Sequence, residues 1–192
     1  MLRSNHAPEF GRVRGWGLVA LLFCAPSVLA NQEATPKKED AWKPIRFLVG
    51  TWDGVAEGEA GRGTVKRTYE FVMNGRFLHE RNISSYPPQE KNPKGEVHEH
   101  WTMFSYDRAR NSLVMRQFHQ EGFVNQYVMP ATAGTNAGIL FESEGFENLP
   151  VGWKAREKYA VVSKNEFVET FELAPPGKEF DVYSQTRFKR AK

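Results

Sequence analysis

Four histidines fall between residues 79 and 119. Imidazole is the side chain best suited to hold a metal or move a proton near neutral pH. His98 and His100, in VHEH, are two residues apart, so on a strand both point to one face. His79 belongs to the preceding strand. A symmetric hairpin around residues 87–95 sets it near Thr102 and diagonal to His100, on that same face. Two or three imidazoles so placed suit zinc; on the outer face of a sheet they stand in water. His119, in RQFHQEG, ends a strand, shares a face with Gln117 and precedes Glu121. Facing a cavity, it would hydrogen-bond a ligand's polar head or accept a proton. At an exposed strand end it would do neither.

Charged residues also interrupt apolar alternation at Glu70, Arg76, Arg81, Arg116, Glu157 and Arg187. A cavity that binds a carboxylate needs one or two guanidinium forks, and Arg116 and Arg187 are the preferred candidates. The alternative for each is an outward side chain paired across the sheet. Hydrolase and nucleotide-binding signatures are lacking. There is no Gly-x-Ser-x-Gly elbow, no phosphate-binding glycine loop and no His-Glu-x-x-His.

The elements that must position these residues are strands. Residues 51–59, 64–73, 77–85, 96–106, 112–119, 123–129, 139–146, 153–162, 166–173 and 180–189 alternate or are β-rich. Gly, Pro, Asn or Asp occurs in the connections, with Asn74-Gly75 the strongest turn because both positions tolerate positive φ. No segment sustains a helical period. Residues 42–49 read as a short helical turn or as an extended cover over one end of the sheet. Ten short strands in succession predict an all-β domain over 42–192, a single antiparallel up-and-down barrel with a short N-terminal helical turn. A two-sheet sandwich is the alternative. A closed barrel of this size leaves interior space, which the many aromatic residues either line or fill.

FLVGTWDG, with Gly50 and Trp52, resembles the opening of calycin-type barrels, where a Gly-x-Trp starts the first strand and the Trp packs across the closed end. The strand layout, the RQFHQEGFVNQYV block and the basic end of the last strand resemble ten-stranded nitrobindin-like and fatty-acid-binding-protein-like barrels, including exported bacterial members of unassigned function. That resemblance implies a ligand in the lumen, and Trp52, His119, Arg116, Arg187 and Tyr183 are the candidate residues to meet it. For nitrobindins it implies haem, held by a histidine on a late strand, and chemistry on reactive nitrogen species. Here the late strand reads FDVYSQTRFKRAK and has no histidine. Tyr183 would then be the phenolate ligand to ferric haem, or a tyrosine that only packs.

Residues 1–30 have a positive start (Arg3, Arg12, Arg14), an apolar run over 15–23 and a small-residue end at Ala30. They read as a signal peptide cleaved near Ala30, with 31–41 a flexible leader. The expected location is periplasmic or secreted, without stable membrane insertion after cleavage. Cys24, the single cysteine, leaves with the signal, so the mature chain has no disulfide or thiolate ligand. The whole chain has 26 basic and 23 acidic residues; the signal holds three of the former and one of the latter, leaving 23 against 22. A balance so near neutral, without a basic stripe, argues against nucleic acid as partner. The function expected is a binding protein holding a small, largely apolar molecule, without a cofactor. A haem protein and a ligand-free envelope protein are the alternatives.

Overall fold

The computed structural model describes residues 40–130 and 138–192. The signal, nearly all of the leader and most of the 134–138 connection lie outside the described residues. Ten strands follow one another: β1 (Gly50–Gly58), β2 (Gly61–Val72), β3 (Phe77–Tyr86), β4 (Glu96–Asp107), β5 (Ser112–His119), β6 (Val124–Val128), β7 (Ile139–Glu147), β8 (Lys154–Ser163), β9 (Glu166–Ala174) and β10 (Asp181–Arg190). Each pairs antiparallel with its chain neighbours, and β1 also pairs with β10, which closes the barrel and leaves no free edge. The expected single all-β barrel is the observed fold. The expected helical turn is one 3-10 turn, Arg46–Leu48. Among the described residues no helix is long and apolar enough to cross a membrane.

Burial follows the alternation. In β2, Gly63, Val65, Arg67 and Tyr69 are buried while Arg62, Thr64, Lys66 and Thr68 are exposed. One boundary departs from expectation: β2 begins at Gly61, because Gly61-Arg62-Gly63 continues the ladder against Gly58, Glu57 and Ala56 rather than breaking it. The β2–β3 turn runs through Asn74 (φ 59°) and Gly75 (φ 73°), the positive angles their types allow. Glycine in β1 serves close approach. A Cβ on Gly54 would lie 2.7 Å from the Phe188 ring.

The lumen is filled at one end and hollow at the other. At the filled end, Trp52 donates from Nε1 to the Leu48 carbonyl at 2.6 Å and meets Phe167 edge-on at 4.7 Å. Phe167 stacks on Phe188, also at 4.7 Å. Tyr69, Phe104, Phe141 and Tyr159 complete an aromatic plug that is essentially inaccessible. The last strand locks the plug: Arg190 stacks over Trp52 and donates to the Val49 and Phe47 carbonyls at 2.8 and 3.0 Å. Above the plug lies a belt of buried polar groups, including Arg67, Glu80, Gln117, Glu157 and Glu169. Above the belt the barrel is open.

Candidate functional site

The open half holds a cavity of about 530 Å³. Its walls are largely apolar, with Val65, Phe123, Phe146, Trp153, Phe171 and Leu173 among them. Three histidines form a ledge on one wall. The β4–β5 register pairs His100 with His119, and His98, two residues away, shares their face. His98 Nε2 lies 3.4 Å from His100 Nδ1 and 3.3 Å from His119 Nδ1. One ligand nitrogen of each ring is within 4.8 Å of the others.

The far nitrogens are all engaged. His98 Nδ1 faces Glu121 Oε1 at 2.9 Å, and His100 Nε2 faces Glu80 Oε1 at 3.1 Å. His119 Nε2 lies 3.2 Å from the Asn125 amide nitrogen, and its ring stacks on Phe123 at 4.0 Å. A neutral imidazole carries one N–H and one lone pair. A carboxylate accepts the N–H, so His98 and His100, when neutral, turn the lone pairs of Nε2 and Nδ1 toward each other. Burial, helped by the adjacent His100 and His98, pulls His119 down to about 3, so it is uncharged at neutral pH.

The polar belt is organised by Arg67. Its guanidinium makes a bidentate pair with Glu169 and lies 2.9 Å from Asn82 Oδ1 and 3.1 Å from Glu80 Oε1. Burial would raise Glu80, but the Arg67 charge and the His100 hydrogen bond outweigh it and hold this carboxyl below its ordinary range. Glu157 makes no such ion pair, and the nearby Arg67 offsets its burial only in small part. Burial and the nearby Glu169 charge push it up to about 8, while Gln117 Nε2 and the Tyr159 hydroxyl each approach it at 2.6 Å. Along the cavity wall, among the described residues, Arg67 is the one guanidinium or ammonium, against Glu96, Glu121, Glu157 and Glu169.

The structure brings some of the expected site residues together and separates others. His98, His100 and His119 converge. His79 does not: it pairs with Met103 and sits on the opposite face from Leu78 and Glu80, with Nδ1 3.8 Å from Glu70 and its ring against Trp101. Arg116 lies on the face opposite Met115 and Gln117, away from the lumen. Arg187 lies between the inward Thr186 and Phe188, so it points outward and pairs with Glu166. Tyr183 is at the cavity rim, partly exposed and edge-on to Phe171 at 5.7 Å. Trp52, expected near the ligand, instead lies fully buried in the plug at the filled end and does not line the cavity. Sequence reasoning did not find Glu80, Arg67, Asn125 or Glu169 as site residues, nor the convergence of His119 with the other two. The signal for that convergence was the short β4–β5 turn, where Asp107 pairs with Ser112 and so sets His100 opposite His119.

No protein-family model matches this chain, and no curated protein does. Among solved structures, the crystal structure of Rv2717c from M. tuberculosis is similar, with a TM-score of 0.58 at 12% identity, covering 80% of this chain and 99% of that one. At that identity the likeness concerns the fold. A de novo designed fluorescence-activating β-barrel matches at a TM-score of 0.38 and 13% identity, over 80% of this chain and 99% of its own.

Proposed function

We propose that this chain is an exported binding protein that takes a small, largely apolar molecule into the open half of its barrel. The observation that supports it most is the cavity of about 530 Å³ above the aromatic plug, a volume in the range of small-molecule sites. Its aromatic and aliphatic walls would supply affinity by apolar burial, roughly 25 cal/mol per Å². The polar groups sit at its base and on the histidine ledge, where they would orient a head group. With several carboxylates and one already paired guanidinium on the walls, that head is neutral or cationic rather than a carboxylate. Arg116 and Arg187 take no part in this reading, because both point away from the cavity.

Haem, the alternative implied by the resemblance, fits poorly. Haem iron takes its axial ligands along the normal to a wide planar ring. The three histidines instead stand together on one wall, with His98 Nε2 3.4 and 3.3 Å from the nearest nitrogens of His100 and His119 and the set within 4.8 Å. Tyr183, on the late strand, is a rim residue packed on Phe171.

Native mass spectrometry of the protein purified from its own host tests the proposal. A mass excess that is lost under denaturing conditions supports a cargo. A bare polypeptide mass, together with no uptake of a neutral apolar fluorophore such as N-phenyl-1-naphthylamine, would end it. N-terminal sequencing tests export, with Asn31 expected as the first residue of the mature chain.

A further inference from the structure

We propose that His98, His100 and His119 form a site for a single divalent transition-metal ion of the zinc class, bound through His98 Nε2, His100 Nδ1 and His119 Nδ1. The inference goes beyond the cargo reading and concerns the protein's own donors, whether or not an apolar molecule enters the cavity.

Spacing is the first ground. Metal–nitrogen bonds of about 2.0–2.1 Å in a tetrahedral shell put ligand nitrogens roughly 3.3–3.4 Å apart. The His98 nitrogen stands 3.4 and 3.3 Å from its two neighbours. The second ground is the set of partners on the far nitrogens. Metal-bound histidines hand their other N–H to a carboxylate, carbonyl or amide oxygen, which fixes the ring and its tautomer. Glu121 and Glu80 do this for His98 and His100. For His119 the partner is the Asn125 amide, whose Oδ1 is buried without a hydrogen bond as placed. Reversing the amide, whose two ends are nearly isosteric, would set that oxygen against the His119 Nε2 proton and the Tyr127 hydroxyl. All three lone pairs would then turn toward one another, on nitrogens that lie within 4.8 Å of each other. Lone pairs held that close repel unless a cation lies between them.

Charge is the third ground. Arg67 pairs with Glu80 and Glu169, while Glu121, at the mouth, faces only His98, so with neutral imidazoles these three carboxylates outnumber the positive charges by two. A divalent ion supplies both. Because all three histidines line the cavity, such an ion keeps a fourth position on the cavity side, the arrangement of a site that takes a further ligand rather than of a closed structural site.

The test is a Co²⁺ titration of the metal-stripped full chain, read by the visible bands of four-coordinate cobalt and reversed by Zn²⁺. One equivalent is expected to bind. His98→Gln and His119→Gln are expected to abolish the bands, Glu121→Gln to weaken binding about 10–100-fold, and His79→Gln to change nothing. His98 is at the partly exposed mouth, so its variant should fold, with circular dichroism and the unfolding midpoint as the check. The proposal is overturned if no cobalt bands appear at one equivalent. It is equally overturned if the bands persist in folded His98→Gln.

Discussion

Replacing Arg67 with methionine keeps a flexible chain of similar length in the belt but removes the charge that its carboxylates face. Arg67 is buried between Glu169 and Glu80, touches Asn82 and the Tyr69 hydroxyl, and lies over the Phe188 ring at 4.6 Å. Removing one partner of a buried ion pair costs about 3–5 kcal/mol, because the remaining charge stays desolvated. The loss must depend on pH. In the native protein Glu80 is held below its ordinary value, so its contribution is present above the unfolded carboxyl value of about 4.3 and fades as pH falls. Without Arg67, burial dominates and raises Glu80. The folded variant then binds more protons than its unfolded chain, and its stability falls as pH rises. The gap between native protein and Arg67→Met therefore widens from about pH 4.5 to neutrality. Urea unfolding followed by tryptophan fluorescence at pH 5 and pH 7.5 measures it. A loss under about 1 kcal/mol at pH 7.5, or a loss equal at both pH values, would refute the reasoning.

Glu157 is raised to about 8, so the folded state holds a proton that the unfolded chain gives up above its own lower value. Native stability is expected to decline between about pH 4.5 and 8, and Glu157→Gln to flatten that decline, measured by urea unfolding across the same range. Gly54→Ala should cost about 1–3 kcal/mol, since the added carbon would meet Phe188 at 2.7 Å and Thr186 at 2.9 Å; thermal unfolding reads it. Arg187→Ala, which breaks an exposed outer-face pair with Glu166, should cost at most about 1 kcal/mol and leave fluorophore uptake unchanged. A larger loss, or altered uptake, would place Arg187 nearer the cavity than its strand position does.

The strands were legible because alternation with period two is a strong signal and the turns carry Gly, Asn or Pro where the backbone needs them. The plug was half legible: Gly50 and Trp52 pointed to a closed end, but sequence alone did not say which aromatics fill and which line. Phe104 and Phe141 fill, while Phe123 and Phe171 line. Register was the part that stayed hidden. A symmetric hairpin with β3 ending at residue 85 pairs His79 with Thr102. In the structure β3 runs to Tyr86, which pairs with Glu96, and His79 meets Met103 instead. That slip of one residue turns His79 outward and brings Glu80 inward beside His100. The orienting carboxylate was therefore hidden for the same reason that His79 looked like a ligand. Taking Asp107 as part of the turn had the matching effect across β4 and β5, keeping His119 apart from His100.

The most direct measurement is an anomalous difference map, collected at the zinc absorption edge, from crystals grown with one equivalent of Zn²⁺. A single peak about 2.0–2.1 Å from His98 Nε2, His100 Nδ1 and His119 Nδ1, on the cavity side of the ledge, is the expected result. No peak at the ledge, or zinc held only at other surface sites, would contradict it.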